Sequence, residues 1–323
     1  MGTFFRDYSG PLTKNFRLQQ RDIIGGGLGL TRVGNVYYVD NANGSDTTFK
    51  ANDPGQPLKT VAAAFNQTTA NQDDVVCILH GGGSGRTSET SAITWNKRFT
   101  HLIGATGPLA QDARAGISFG SGGSLTISEN GCIFSNLTFN GTTDINVPVT
   151  ITGSYNSFLG VDFKGSLNGT TGDDTAARSL YINGGQENYF DHCTFGADTF
   201  NRSAANATIE FASAASRNVF EDCRFVMAAD NTGPVHILFT GTSAIDRWLE
   251  FKNCSWYSFW ANNADQIAGV MDLSAQSATG HVLLTGSQVV VGADDWEDSA
   301  SGRIYTMPYT ATTNAIGLAV NPT

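Results

Sequence analysis

The chain has 323 residues, with 19 Lys and Arg against 29 Asp and Glu. Only 15% of residues are charged while 37 are glycine, which argues against a helical protein, since helices favour Ala, Leu, Glu and Lys. Twenty Phe, nine Tyr and five Trp exclude a disordered chain, and the formal charge of −10 argues against a general nucleic-acid binder. No apolar run approaches the roughly 20 residues of a membrane span.

Residues 1–34 show neither helical nor strand periodicity and carry Arg6, Lys14, Arg17, Arg21 and Arg32 against Asp7 and Asp22, a surplus of three positive charges. They are expected to form an extended arm hinged at glycines 25–27, leaving −13 on the remainder. The opening MGTFFRDYSG lacks an apolar secretion core, so export by the usual route is not expected. Next comes a strand, Asn35–Asp40, and an Asn/Asp/Gly/Ser loop through Asp46. Pro57–Phe65 reads as a short helix with Thr60 as its N-cap, and Val75–Leu79 as a buried strand. From there to about residue 290 the text is strands and turns.

Within that stretch a unit of the form Phe-x-x-apolar-x-aromatic recurs. Its members start at Phe134, Phe158, Phe190, Phe220 and Phe251, spaced 24, 32, 30 and 31 residues apart. A weaker earlier member starts at Phe99. Positions 1 and 4 differ in parity, so one straight strand cannot bury both. A tight bend between them solves this, and Asn136, Gly160, His192, Asp222 and Asn253 stand where such a bend needs a small or polar residue. One circuit per 24–32 residues describes an all-β, coiled parallel solenoid with internal ladders: Phe134, Phe158, Phe190, Phe220 and Phe251 in one, Cys193, Cys223 and Cys254 in another. Stacked cysteines ~4.8 Å apart exceed disulfide spacing, so the five cysteines are expected to be free thiols.

The motifs that evoke chemistry are weaker. Gly116-Ile-Ser118-Phe-Gly120 matches a nucleophile elbow, with His80-Gly-Gly-Gly83 as its oxyanion loop, but the text after it reads as another turn and strand, where the elbow needs a helix. Asp173-Asp174 with Arg178 is the best acid/base candidate, and Trp248, Trp256 and Trp260 are candidates for a sugar-binding groove. Asp40–Asp46 and Asp294–Asp298 cluster carboxylates without the full spacing of a calcium loop, and the glycine runs lack a phosphate-loop ending. No catalytic residue, metal or cofactor is expected.

The Phe-x-[Asn/Asp/His]-Cys-x-aromatic units, with Tyr38-Val-Asp-Asn-Ala-Asn-Gly-Ser-Asp46 and Pro57-Leu-Lys-Thr-Val-Ala-Ala-Ala before them, resemble right-handed parallel β-helix proteins of the pectate-lyase-like type. The resemblance implies a helix capping one open end. The resemblance covers roughly residues 35–290; with the non-periodic flanks, the chain divides into an arm (1–34), a first strand and capping helix (35–70), a β-helix (71–290) and a non-solenoid C-terminal tail (291–323). Among its members it points to a non-enzymatic bacteriophage virion protein, a homotrimeric decoration or cement protein on the capsid surface. Its partner there would be the major capsid protein, bound through the cations of the arm, with neither nucleic acid nor membrane involved. A tailspike-like polysaccharide-degrading enzyme, or a receptor-binding tail fibre contacting a host glycan, stands as the alternative.

Overall fold

The computed structural model describes residues 34–79, 86–106, 113, 115–142, 144–260, 266–276, 279–297 and 302–306, the Trp260 side chain excepted. The expected arm and its five cations lie outside the described residues. The described residues form a right-handed parallel β-helix with one short capping helix. Among the described residues its strands form three sheets, of ten, eight and eight strands. The ten-stranded first sheet runs from Val36–Val39 to Ile304–Thr306, and each circuit passes through the first, second and third sheets in turn. Every strand pairing is parallel, as a solenoid that winds one way requires.

The repeat sets the register. Phe134, Phe158, Phe190, Phe220 and Phe251 are paired one above another in the first sheet, all fully buried. Phe139, Phe163, Phe195, Phe225 and Trp256 form a second column on the second sheet. Rings in the first column stack at 4.4–5.0 Å, and Phe190 meets Phe220 at 4.4 Å, 2° from parallel. The columns touch edge to face, as at Phe190–Phe195 (5.8 Å, 66°). Each fully buried Phe contributes about 2–3 kcal/mol by area, and the ring geometry adds specificity of register.

The bend between positions 1 and 4 is left-handed backbone. Asn136, His192, Asp222 and Asn253 have φ of 52–54°, and Gly160 and Gly286 share the column at 60° and 66°. Cys193, Cys223 and Cys254 follow this bend. Each is buried and free, and each Sγ donates to a carbonyl of the previous circuit: Phe158, Phe190 and Phe220. Burial pushes the Cys223 thiol well above its ordinary value, so it is unreactive in the folded state.

Two expectations about boundaries need correction. The solenoid does not stop at residue 290: Ala293–Glu297 extends the third sheet and Ile304–Thr306 the first, so at least these residues of the expected tail are solenoid. Phe99 is not a member of the Phe column. Leu102 pairs with Phe134, while Phe99 sits three residues earlier with φ 52° and an exposed ring packed over Gly131. It belongs to a second left-handed column with Gly131, Tyr155, Glu187 and Arg217.

The capping helix is Val61–Gln67, starting four residues after Pro57. Pro57-Leu58 remains extended, with Leu58 bridged to Val39. Thr60 accepts from Ala63 N at 3.1 Å as the N-cap. Phe65 stacks on Trp95 at 4.2 Å, and Trp95 touches Phe134, so the helix seals the column's end. Two charges from the first circuit hold it there. Glu89 accepts from Val61 N at 2.7 Å, and Lys97 Nζ donates to the carbonyls of Phe65, Asn66 and Thr68. An anion thus meets the positive end of the helix and a cation the negative end.

Candidate functional site

The acid/base and nucleophile candidates among the described residues are employed structurally. Asp173 and Asp174 follow a one-turn helix, Gly169–Gly172. Asp173 accepts from Ser203 N, Ser203 Oγ and Ala204 N, tying this loop to the next circuit. Asp174 caps its own turn at Ala176 N. Arg178 is buried, bonded through Nε to Glu210 at 2.7 Å and through its terminal nitrogen to the carbonyls of Thr175 and Ala177. These three residues are therefore not arranged as a free acid facing a free base across a groove.

Ser118 lies on the strand Gly116–Phe119, followed by a turn and the strand Ser124–Ile127. Its hydroxyl accepts from Asn140 Nδ2 at 3.0 Å, so no strand–helix elbow exposes it. His80–Gly83 lies outside the described residues. Asp40 holds its own turn through Ala42 N and Asn43, while Asp46 accepts from Lys59 N, Thr60 N and Thr60 Oγ1. Burial alone would raise the Asp40 carboxyl, but the hydrogen bonds from Asn43 and Ala42 hold it below its ordinary value.

Trp248 and Trp256 do not share a groove. Trp256 is fully buried, stacked on Phe225 at 3.9 Å, whereas Trp248 is exposed on the outer face of the first sheet. The Trp260 side chain lies outside the described residues. Trp248 instead joins Glu250, His281, Leu283 and Tyr305 around a cavity of about 450 Å³. Strand pairing explains the grouping: Trp248 is paired with His281, Glu250 with Leu283, and Leu283 with Tyr305. The His281 and Tyr305 rings meet edge to face at 5.0 Å, and Glu250 Oε1 accepts from Thr285 Oγ1 at 2.6 Å. An open cleft with two aromatic walls, a carboxylate and an imidazole can take a flat, hydroxyl-rich ligand.

Asp191, His192 and Asp222 bring three possible metal-ligating atoms within 4.8 Å at the left-handed bend. His192 Nδ1 lies 2.6 Å from Asp191 Oδ1. All three are partly or fully exposed.

Sequence reading missed a buried asparagine ladder. Asn156, Asn188 and Asn218 stand two residues before the Phe column. Cys132 N donates to Asn156 Oδ1, Asn156 N to Asn188 Oδ1 and Asn188 N to Asn218 Oδ1, at 2.8–3.0 Å. Their amide nitrogens donate to the carbonyls of Glu129, Gly153 and Gly185. The signal was present as Asn-x-Phe in three consecutive units.

No protein-family model matches the chain, and no curated protein matches it. Solved structures do. Pectin methylesterase PemA from Erwinia chrysanthemi is 16% identical with a TM-score of 0.45, covering 84% of this chain and 92% of that one. Pectate lyase Pel9A is 14% identical with a TM-score of 0.47, covering 77% and 62%. ORF18 of Geobacillus virus E2 is 14% identical with a TM-score of 0.27, covering 75% and 56%. What the pectin methylesterase and the pectate lyase share with this chain is the parallel β-helix. None of these likenesses carries an activity across.

Proposed function

We propose that this protein is a non-enzymatic structural component of a bacteriophage particle, a homotrimeric decoration or cement protein on the capsid surface. The observation that carries the non-enzymatic part is the employment of Asp173, Asp174 and Arg178 in loop closure, which leaves the best acid/base set spent on architecture. The charge division supports the location. The segment 1–34 carries three surplus positive charges and the remainder −13, so an acidic shell attracts the arm and repels the solenoid, which then projects outward. Its partners are two further copies and the major capsid protein. Among the described residues no helix is long and apolar enough to cross a membrane.

Replacing Arg6, Lys14, Arg17, Arg21 and Arg32 with glutamine tests the anchoring. The variant is expected to keep its β circular-dichroism spectrum and lose binding to undecorated particles. Undiminished binding would reject the anchoring role.

A second reading is favoured by the Trp248 cleft: a receptor-binding protein that contacts a host glycan. It predicts retention on a glycan array built from the host surface and loss on Trp248→Ala, with no reducing sugar released in either case. Sugar release would instead establish the tailspike-like enzyme.

A further inference from the structure

The cleft on the outer face of the first sheet is lined by Trp248, Glu250, His281, Leu283 and Tyr305, and its one carboxylate is held by a neutral partner. Trp248 stands opposite His281 in one row, while Glu250, Leu283 and Tyr305 follow one another in the next. Leu283 is therefore the floor, Trp248 (37% exposed) one wall, and the His281–Tyr305 ring pair the other. Glu250 lies two residues after Trp248 on the same strand, so both side chains leave the same face. Its Oε1 accepts from the Thr285 hydroxyl at 2.6 Å, and no cation among the described residues is bonded to it. The neighbouring cations are engaged elsewhere. Lys252 is bonded to Glu221 at 2.6 Å, Arg217 to Glu187 at 2.5 Å, and Arg303 donates to the Gly280 carbonyl at 3.4 Å.

The charge inside the cleft selects the ligand. A carboxylate beside an exposed indole attracts a cation, which bonds to the carboxylate oxygen while the ring that carries it lies on the aromatic face. A uronate would instead meet Glu250 and the −10 of the chain, both repulsive. An N-acetylated sugar can stack on Trp248 but forgoes the charge-assisted hydrogen bond. The volume, about 450 Å³, lies in the range of small-ligand sites.

We propose that this cleft selects glycans that carry a free, positively charged amine: the ammonium of a hexosamine bonds to Glu250 and the face of its ring lies on Trp248. This rests on the glycan-contact reading of the cleft and names the class of sugar it takes. Leu283 receives the apolar edge of the ring, and the His281–Tyr305 pair closes the far side.

The test uses the full chain and titration calorimetry at about pH 7, where an amine is mostly protonated. Three probes are compared: a glucosamine trisaccharide, its N-acetylated counterpart and a trigalacturonate. The glucosamine trisaccharide is expected to bind at least about 10-fold more tightly than the other two. Glu250→Gln keeps an oxygen for the Thr285 hydroxyl and should erase that difference, while Trp248→Ala should weaken every sugar that binds. Asp198→Asn, an exposed carboxylate on the second sheet, should change nothing and so separates the cleft from general attraction to an acidic protein. Circular dichroism should be the same for all variants. Equal or tighter binding of the N-acetylated or acidic probe, or glucosamine binding that Glu250→Gln leaves intact, overturns the amine preference. The glycan reading still stands in that case if Trp248→Ala abolishes binding. No binding to any of the three probes or to a glycan array of the host surface overturns both.

Discussion

Replacing Phe190 with alanine removes the central ring of the first column. Phe190 is fully buried, stacked on Phe158 at 4.6 Å and on Phe220 at 4.4 Å, and in edge contact with Phe195 at 5.8 Å. Truncation of a buried Phe to Ala costs about 3–5 kcal/mol, transfer and cavity together. The upper half of that range is expected here, because parallel strands above and below fix the walls and stop the site collapsing. Phe190→Leu keeps most of the volume and should cost about 1–1.5 kcal/mol. In urea, with a slope of about 3 kcal/mol/M, the alanine variant should unfold about 1.3 M earlier and the leucine variant about 0.4 M earlier. In a solenoid each circuit contacts only its neighbours, so the damage should centre on the circuits of Phe158 and Phe220, seen as lost amide protection there first. A loss below about 1 kcal/mol for Phe190→Ala, or protection lost evenly along the chain, would refute the column as the stabilising element.

Asn188→Ala should cost about 2–4 kcal/mol, because it leaves the Asn156 N–H without its acceptor and the Gly153 carbonyl without its donor. Calorimetry against the exposed control Asn201→Ala checks this. His192→Val should lose about 1–2 kcal/mol, since a β-branched residue is strained at φ 52°, while His192→Asn should be neutral within about 0.5 kcal/mol.

Two buried groups should oppose each other in the pH profile of stability. Burial, with Arg202 nearby, pushes the His236 imidazole down to about 3, so its contribution is present above about 6.5 and is lost as pH falls, about 3 kcal/mol by pH 4. Burial pushes the Asp162 carboxyl up to about 7 against Lys164 and Arg86, so its contribution is full at low pH and is lost as pH rises from about 4 to 7, about 4 kcal/mol in all. The native chain should therefore show a shallow profile between pH 4 and 6.5. His236→Leu should gain stability on acidification over that range and Asp162→Asn should lose it. Denaturant midpoints that move together in both variants would contradict the assignment.

The solenoid was legible because one circuit must return the same residue class to the same place, which imprints Phe-x-x-apolar-x-aromatic on the text. The bend residues Asn136, Gly160, His192 and Asp222 were legible for a related reason, since few residue types tolerate left-handed backbone. Asn156, Asn188 and Asn218 were overlooked because asparagine near a turn reads as a turn former, and nothing local distinguishes one whose amide bridges two circuits. Glu89 and Lys97 were invisible as helix partners, since each acts across about 30 residues of chain. The last circuit was missed because Val289–Val291 and Ile304 replace the aromatic signature with smaller apolar residues. Of the candidate site, Trp248 was legible as an aromatic. Its association with His281 and Tyr305 follows from a register that spacing alone does not give.

The measurement that tests the central claim most directly is the copy number of this chain in purified particles, by quantitative mass spectrometry against the major shell protein. A capsid decoration protein should be present within a factor of several of the shell protein. A handful of copies per particle would contradict the capsid assignment and move the protein to the tail, and its absence from particles would contradict the structural role altogether.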